Sequence, residues 1–92
     1  MTNEVRDNTA EERFELRTEQ ATAFIAYHLE GEIISLDHTE VPSVLGGKGI
    51  GSALVKGTLD ILRERGQKLL PRCSFVRAYI ERHPEYRVLL AE

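Results

Sequence analysis

Three glycines at alternate positions, Gly47, Gly49 and Gly51, stand just ahead of a helical repeat in the stretch Leu45-Gly46-Gly47-Lys48-Gly49-Ile50-Gly51-Ser52. Glycines at a helix start leave backbone N–H groups unshielded, and the helix dipole adds partial positive charge at the same point. Together these make an anion cradle whose usual occupant is a phosphate or pyrophosphate. The competing explanation is a tight turn that binds nothing. Four other residues are of types that serve as nucleophile, acid or base: Cys73, Tyr79, His38 and Glu40. Each has a plainer reading. Cys73 ends a strand, where cysteine is often a small hydrophobe. His38 reads equally as a satisfied half-buried histidine, Glu40 as a solvated loop charge, and Tyr79 as a core aromatic beside Phe75. No metal site is assigned.

The elements around these residues follow from hydrophobic periodicity. Residues 1–12 are polar and acidic with no convincing period and are expected to form a flexible N-terminus whose end could add to a strand, leaving 13–92 as a single domain. Arg13 to Arg17 alternates as a short strand, and Thr18-Glu19-Gln20 turns. Ala21 to Leu29 alternates again, with Ala21, Ala23, Ile25, Tyr27 and Leu29 on one side. Glu30-Gly31 is a hairpin signal. Strict alternation over Glu32 to Val41 puts Ile34, Leu36 and His38 on one face and Ile33, Ser35 and Asp37 on the other. From Gly49 the period becomes helical, with Ile50, Leu54, Thr58, Ile61 and Leu62 in one stripe widened by Val55 and Leu59. Gly66 stops that helix. Gln67 to Cys73 reads as a strand with Leu69 and Leu70 inside, and Ser74 as the cap of a second helix from about Phe75 to Arg82. Strand, glycine loop, helix, strand is a βαβ unit. The expected fold is therefore α+β: a three-stranded antiparallel meander, one parallel strand reached by the crossover, and two helices.

Composition narrows the function classes. The 92 residues carry a formal charge of −3 with no basic run, which gives no reason to expect nucleic acid. No apolar run approaches the ~18 residues of a membrane span, and the first twenty residues lack the apolar core of a secretory signal. The single cysteine cannot form an internal disulfide and fits a reducing compartment, with cytoplasm the default.

Among phosphate-binding loops, a Walker loop needs Ser or Thr after Gly-Lys, and here Gly47-Lys48 is followed by Gly49. A dinucleotide fingerprint needs G-x-G-x-x-G and an acid about 20 residues on; the spacing here is G-x-G-x-G, and the strand Lys68 to Cys73 carries no acid. The segment Gly47 to Leu54 instead resembles the acetyl-CoA pyrophosphate loop of the GCN5-related N-acetyltransferases. That loop reads Arg/Gln-x-x-Gly-x-Gly/Ala, with Gly49 and Gly51 on the last two positions and Gly46 where Arg or Gln is usual. His38-Thr39-Glu40-Val41-Pro42, Cys73, Ala78-Tyr79-Ile80 and His83-Pro84-Glu85-Tyr86 extend the resemblance to the small, YjdJ-type domains of that family, from about Phe14 to Tyr86.

The resemblance implies acetyl-CoA as cofactor and an amine as acceptor. It implies parallel strands that splay, so that the edges Thr39-Glu40-Val41 and Leu70 to Cys73 flank the pantetheine arm. The pyrophosphate would lie on the N–H groups of Gly47, Lys48, Gly49, Ile50, Gly51 and Ser52, with Lys48, Arg72 and Arg77 as candidates for the coenzyme A phosphates. In the family's commonest route the amine attacks directly; His38 or Glu40 would help deprotonate it, and Tyr79 would protonate the leaving thiolate. A second route makes Cys73 the nucleophile. Full-size relatives wall the acceptor site with N-terminal helices for which this chain has no residues. The alternative reading is therefore a coenzyme A-binding module with little catalysis that acts with a protein partner. A structural domain whose loop binds nothing is the third reading. The expected state is a monomer or weak homodimer.

Overall fold

Five strands form one sheet in chain order: β1 (Val5–Asn8), β2 (Arg13–Arg17), β3 (Thr22–Glu30), β4 (Ile33–Glu40) and β5 (Leu69–Pro71). This is a computed structural model that describes residues 4–47 and 49–91. The first four strands are antiparallel neighbours, and β5 lies parallel to β4. Helix α1 (Ile50–Arg65) makes the crossover between those two, and α2 (Ser74–Arg82) follows β5. The βαβ unit, the meander and both helices are as the periodicity predicts, with one more strand. Val5 to Asn8, inside the segment expected to be flexible, pairs with β2 from Val5↔Leu16 to Asn8↔Arg13. The reason lies in α1: a Cβ on Gly57 would overlap the Val5 side chain, so the glycine lets β1 press onto the helix.

Both helices cover one face of the sheet. Phe14, Leu16, Ile25, Ile34 and Leu36 meet Leu54, Val55, Leu59 and Leu62 of α1 and Val76 and Ile80 of α2, all within a few per cent of full burial. Burying each such side chain stabilises the fold by about 1.5–3 kcal/mol before entropy is counted. Gly66 ends α1 at φ 67°, with Gly66 N–H donating to Arg63 O and Gln67 N–H to Leu62 O, the paired bonds of a Schellman close. The other face carries Arg13, Glu15, Phe24, His28, Ser35 and Arg72 and has no helix on it, as an antiparallel sheet allows.

Three local expectations are corrected. The β3–β4 register jumps from Tyr27↔Leu36 to Ala26↔His38, leaving Asp37 as an extra residue in β4. Such a bulge reverses the alternation beyond it, so His38 turns to the open face instead of joining Ile34 and Leu36. Ser74 lies inside α2; Cys73 occupies the cap position, and no side chain caps this helix. The strand expected over 67–73 is reduced to Leu69–Pro71, because Pro71 has no N–H to extend the ladder. In addition, Leu29, expected on the side of Ala23, Ile25 and Tyr27, is 55% exposed at the end of β3.

Candidate active site

The β4–β5 pairing runs Ile34↔Leu69, Ser35↔Leu70, Leu36↔Pro71 and closes with Cys73 N–H donating to Leu36 O at 2.9 Å. Beyond Leu36, β4 pairs only with β3 among the described residues. The strands therefore part where the bulge at Asp37 bends one of them and Pro71 stops the other. This gap lies at the carboxyl ends of two parallel strands, the usual place for a ligand in such a sheet.

Three elements meet at the mouth of the gap. Gly49 caps α1 in the left-handed region, φ 72° and ψ 14°, with no side-chain hydrogen bond to the helix end and no acidic residue in the first turn. Gly47 is also left-handed, at φ 77°. An L side chain is strained at either place, which explains two of the three glycines by backbone conformation. Gly51 has a different cause. A Cβ there would lie 2.7 Å from Cζ of Phe75 and 3.6 Å from Cγ2 of Val41. The end of β4, the first turn of α1 and the first turn of α2 thus converge through Val41, Gly51 and Phe75. The Phe75 ring is still 41% exposed, and Val44 in the connecting turn is 49% exposed. Phe75 read from the sequence only as a packing residue; the glycine two positions into α1 was the signal that a large side chain approaches there.

Deeper in the gap, Thr39 Oγ1 lies 3.0 Å from Cys73 Sγ. The bulge makes this contact possible, because it turns Thr39 to the helix side opposite Ile25. Cys73 is 8% exposed and sits at the N-terminus of α2, the positive end of that helix's dipole. On the open face of the same wall, His38 Nε2 and Glu40 Oε1 are 2.9 Å apart, and both side chains are more than half exposed.

Two of the remaining sequence candidates, the arginines, are engaged by other groups. Arg72 turns to the open face, where its Nη1 donates to Glu30 Oε2 and to Ser35 Oγ. Arg77 donates from Nη1 to Pro71 O at 2.8 Å, across the end of β5. Lys48 lies outside the described residues. Tyr79 is 5% exposed, stacked on His83 with centroids 4.1 Å apart and tilted against Tyr86 at 6.1 Å. Burial raises its pKa above the ordinary phenol value. The hydroxyls of Tyr27 and Tyr86 each donate to a carboxylate, of Asp7 and Asp60, at 2.7 Å. The Tyr79 hydroxyl makes no hydrogen bond among the described residues, so its proton is not committed to a neighbour.

A separate cleft of about 250 Å³ lies at the β1–β2 edge, lined by Arg6, Asn8, Glu15 and Arg17 among others. Glu15 is 2% exposed there. Burial acts to raise its pKa, but hydrogen bonds from Arg13, Asn8 and Arg17 outweigh burial and hold it below the ordinary carboxylate value. Its acceptors are already filled, so this is a structural ion cluster at the sheet edge farthest from the gap.

The mixed five-stranded sheet with both main helices on one face is the α+β arrangement expected from the resemblance to the GCN5-related N-acetyltransferases. The sequence profile of the GCN5-related N-acetyl-transferase family matches residues 13–89, and the chain belongs to that family. Protein NATD1 of Gallus gallus and of Mus musculus are each 35% identical to it over 63 residues, 67% of this chain and 57% of theirs. The match thus spans little more than half the length of these relatives. The NMR solution structure of a GCN5-like protein from Staphylococcus aureus superposes with a TM-score of 0.71 at 32% identity, covering 99% of this chain and 91% of that one. No helix among the described residues is long and apolar enough to cross a membrane.

Proposed function

We propose that this domain transfers an acetyl group from acetyl-CoA to an amine, in a reducing, cytoplasmic setting where Cys73 stays a thiol. The carrying observation is the continuity of the uncapped α1 mouth with the gap between β4 and β5. The residues fit the cofactor. The first-turn amides have neither a capping side chain nor an acid beside them, so an entering pyrophosphate meets donors and positive dipole without displacing a carboxylate. The β4 edge from His38 to Val41 presents backbone unpaired with β5 to an extended pantetheine chain. When bound, the cofactor supplies the activated acyl group as a thioester.

The protein's residues do the rest. His38 and Glu40, hydrogen-bonded to each other on the open face, take the proton of an amine arriving from that side. Thr39 and Cys73 line the floor of the gap. Tyr79, with its hydroxyl uncommitted, is the proton donor for the leaving thiolate. The route through an acylated Cys73 uses the same floor, with the thiol at the positive end of α2. Direct attack is favoured, because Cys73 is nearly buried and already engaged with Thr39.

Calorimetry with acetyl-CoA, followed by turnover assays over a panel of amines, tests this reading. We expect binding that Gly49→Asp reduces below detection, since a carboxylate would stand among the phosphate donors. Binding without turnover of any amine would count against transferase activity, and absence of binding would remove the proposal altogether.

A further inference from the structure

On the open face, directly beside the gap, five side chains form a closed circuit. His28 Nδ1 is 2.6 Å from Asp37 Oδ2, and His28 Nε2 is 2.8 Å from Glu30 Oε2. Arg72 Nη1 donates to that same Glu30 oxygen and, at 3.1 Å, to Ser35 Oγ, while Ser35 Oγ donates to Asp37 Oδ1. The circuit touches both walls of the gap. Asp37 is the extra residue of the β4 bulge, and Arg72 directly precedes Cys73. His28 on β3 sits between them.

We propose that His28 is a positioning residue of the gap: as imidazolium it holds the bulge residue Asp37 on one wall and, through Glu30, Arg72 on the other, so the spacing of Thr39 and Cys73 depends on its proton. This rests on the acyl-transfer reading for its functional consequence, though not for its geometry. A neutral imidazole has one N–H and can donate to only one carboxylate; its other nitrogen then points a lone pair at the second. Only the cation donates to both. An exposed ion pair by itself contributes about 0–1 kcal/mol, so no single contact here would matter. What matters is that the pairs share partners and fasten three strands at the one place where the sheet opens.

Among the described residues, the cation that competes with His28 is Arg72, which donates to the same Glu30 oxygen. On its own strand the neighbours are Glu30 and Ala26. From β4 come Ser35 and Asp37; His38, opposite Ala26, is engaged with Glu40. From the residue after β5 comes Arg72. From β2, Arg13 lies opposite Ala26 but turns over the Phe24 ring and bonds Glu15. The helices are on the far face. Hydrogen bonds that His28 donates to Asp37 and then to Glu30 raise its pKa above the ordinary 6.5. The double contact of His28 is therefore present below the unfolded-state value and is lost as pH rises through the higher folded-state value.

NMR of the full chain, without ligand, tests the proposal. The His28 ring and the backbone amides of Thr39 and Cys73 are followed from about pH 5 to 9. All three are expected to share one midpoint. Asp37→Asn should lower the His28 midpoint, since a partner charge is removed. In His28→Gln the component of the two amide titrations that follows the His28 ring should be gone. Acetyl-CoA should bind the native protein about threefold or more weaker at the high end of this range, whereas His28→Gln should bind with no pH dependence. Amides that ignore the His28 midpoint, or that titrate in His28→Gln with that same midpoint, would overturn the proposal. So would acetyl-CoA affinity with the same pH dependence in both proteins. If acetyl-CoA bound at no pH, the transferase reading would fall, and the ligand-free titration would still decide the role of His28.

Discussion

At the β1 edge of the sheet, Val5 lies on a helix glycine, Glu15 accepts three side-chain partners, and the Tyr27 hydroxyl is tied to Asp7. At the β5 edge the strands part after Leu36, the α1 end is uncapped, and a phenylalanine and a valine stay substantially exposed. Both ends are strands under a helix, the β1 end under α1 and the β5 end under α2. They differ in closure. One end satisfies its polar groups internally and contributes stability; the other leaves donors, a thiol and apolar surface available, which suits it to a ligand. Regions that bind are drawn from the less satisfied part of a fold.

Substitutions can break this comparison at either end. The largest effect should follow Leu59→Ala in α1, fully buried against the sheet: a loss of about 2–5 kcal/mol in denaturant unfolding, with acetyl-CoA affinity unchanged while the protein remains folded. Gly57→Ala comes next and sharpens the contrast. In an exposed helix interior this change would stabilise by up to about 1 kcal/mol; here the new methyl meets Val5, and a net loss of about 1–2 kcal/mol is expected from overpacking. A gain in thermal midpoint would show that β1 is not held by this contact. Phe75→Ala should do the opposite, weakening acetyl-CoA binding about tenfold, or ~1.4 kcal/mol, with little change in unfolding. Equal affinity would remove Phe75 from the mouth. The smallest change is Thr58→Val. Thr58 is fully buried with its hydroxyl unpartnered among the described residues, and removing that hydroxyl at constant shape should stabilise by about 1 kcal/mol.

Much of this was legible in the chain. The apolar stripe of α1, its close at Gly66, the Glu30-Gly31 hairpin and the βαβ order follow from local periodicity and from residues that tolerate a left-handed backbone. The glycine loop was legible for the same reason, since Gly47 and Gly49 answer to their own φ angles. The strand at Val5 was not, because four mostly polar residues carry no period; the clue was Gly57, a helix-interior glycine 52 positions away.

What the sequence by itself determined is the set of elements, their order and the bare helix mouth, because these depend on neighbours a few residues apart. The tertiary structure alone decided which way the site residues face. The bulge at Asp37 turns His38 out and Thr39 in, Phe75 comes to rest on Gly51, and Arg72 finds Glu30 across 42 positions. These outcomes depend on strand register and packing between distant segments. A shift of one residue in a strand exchanges its two faces, and composition carries no trace of it.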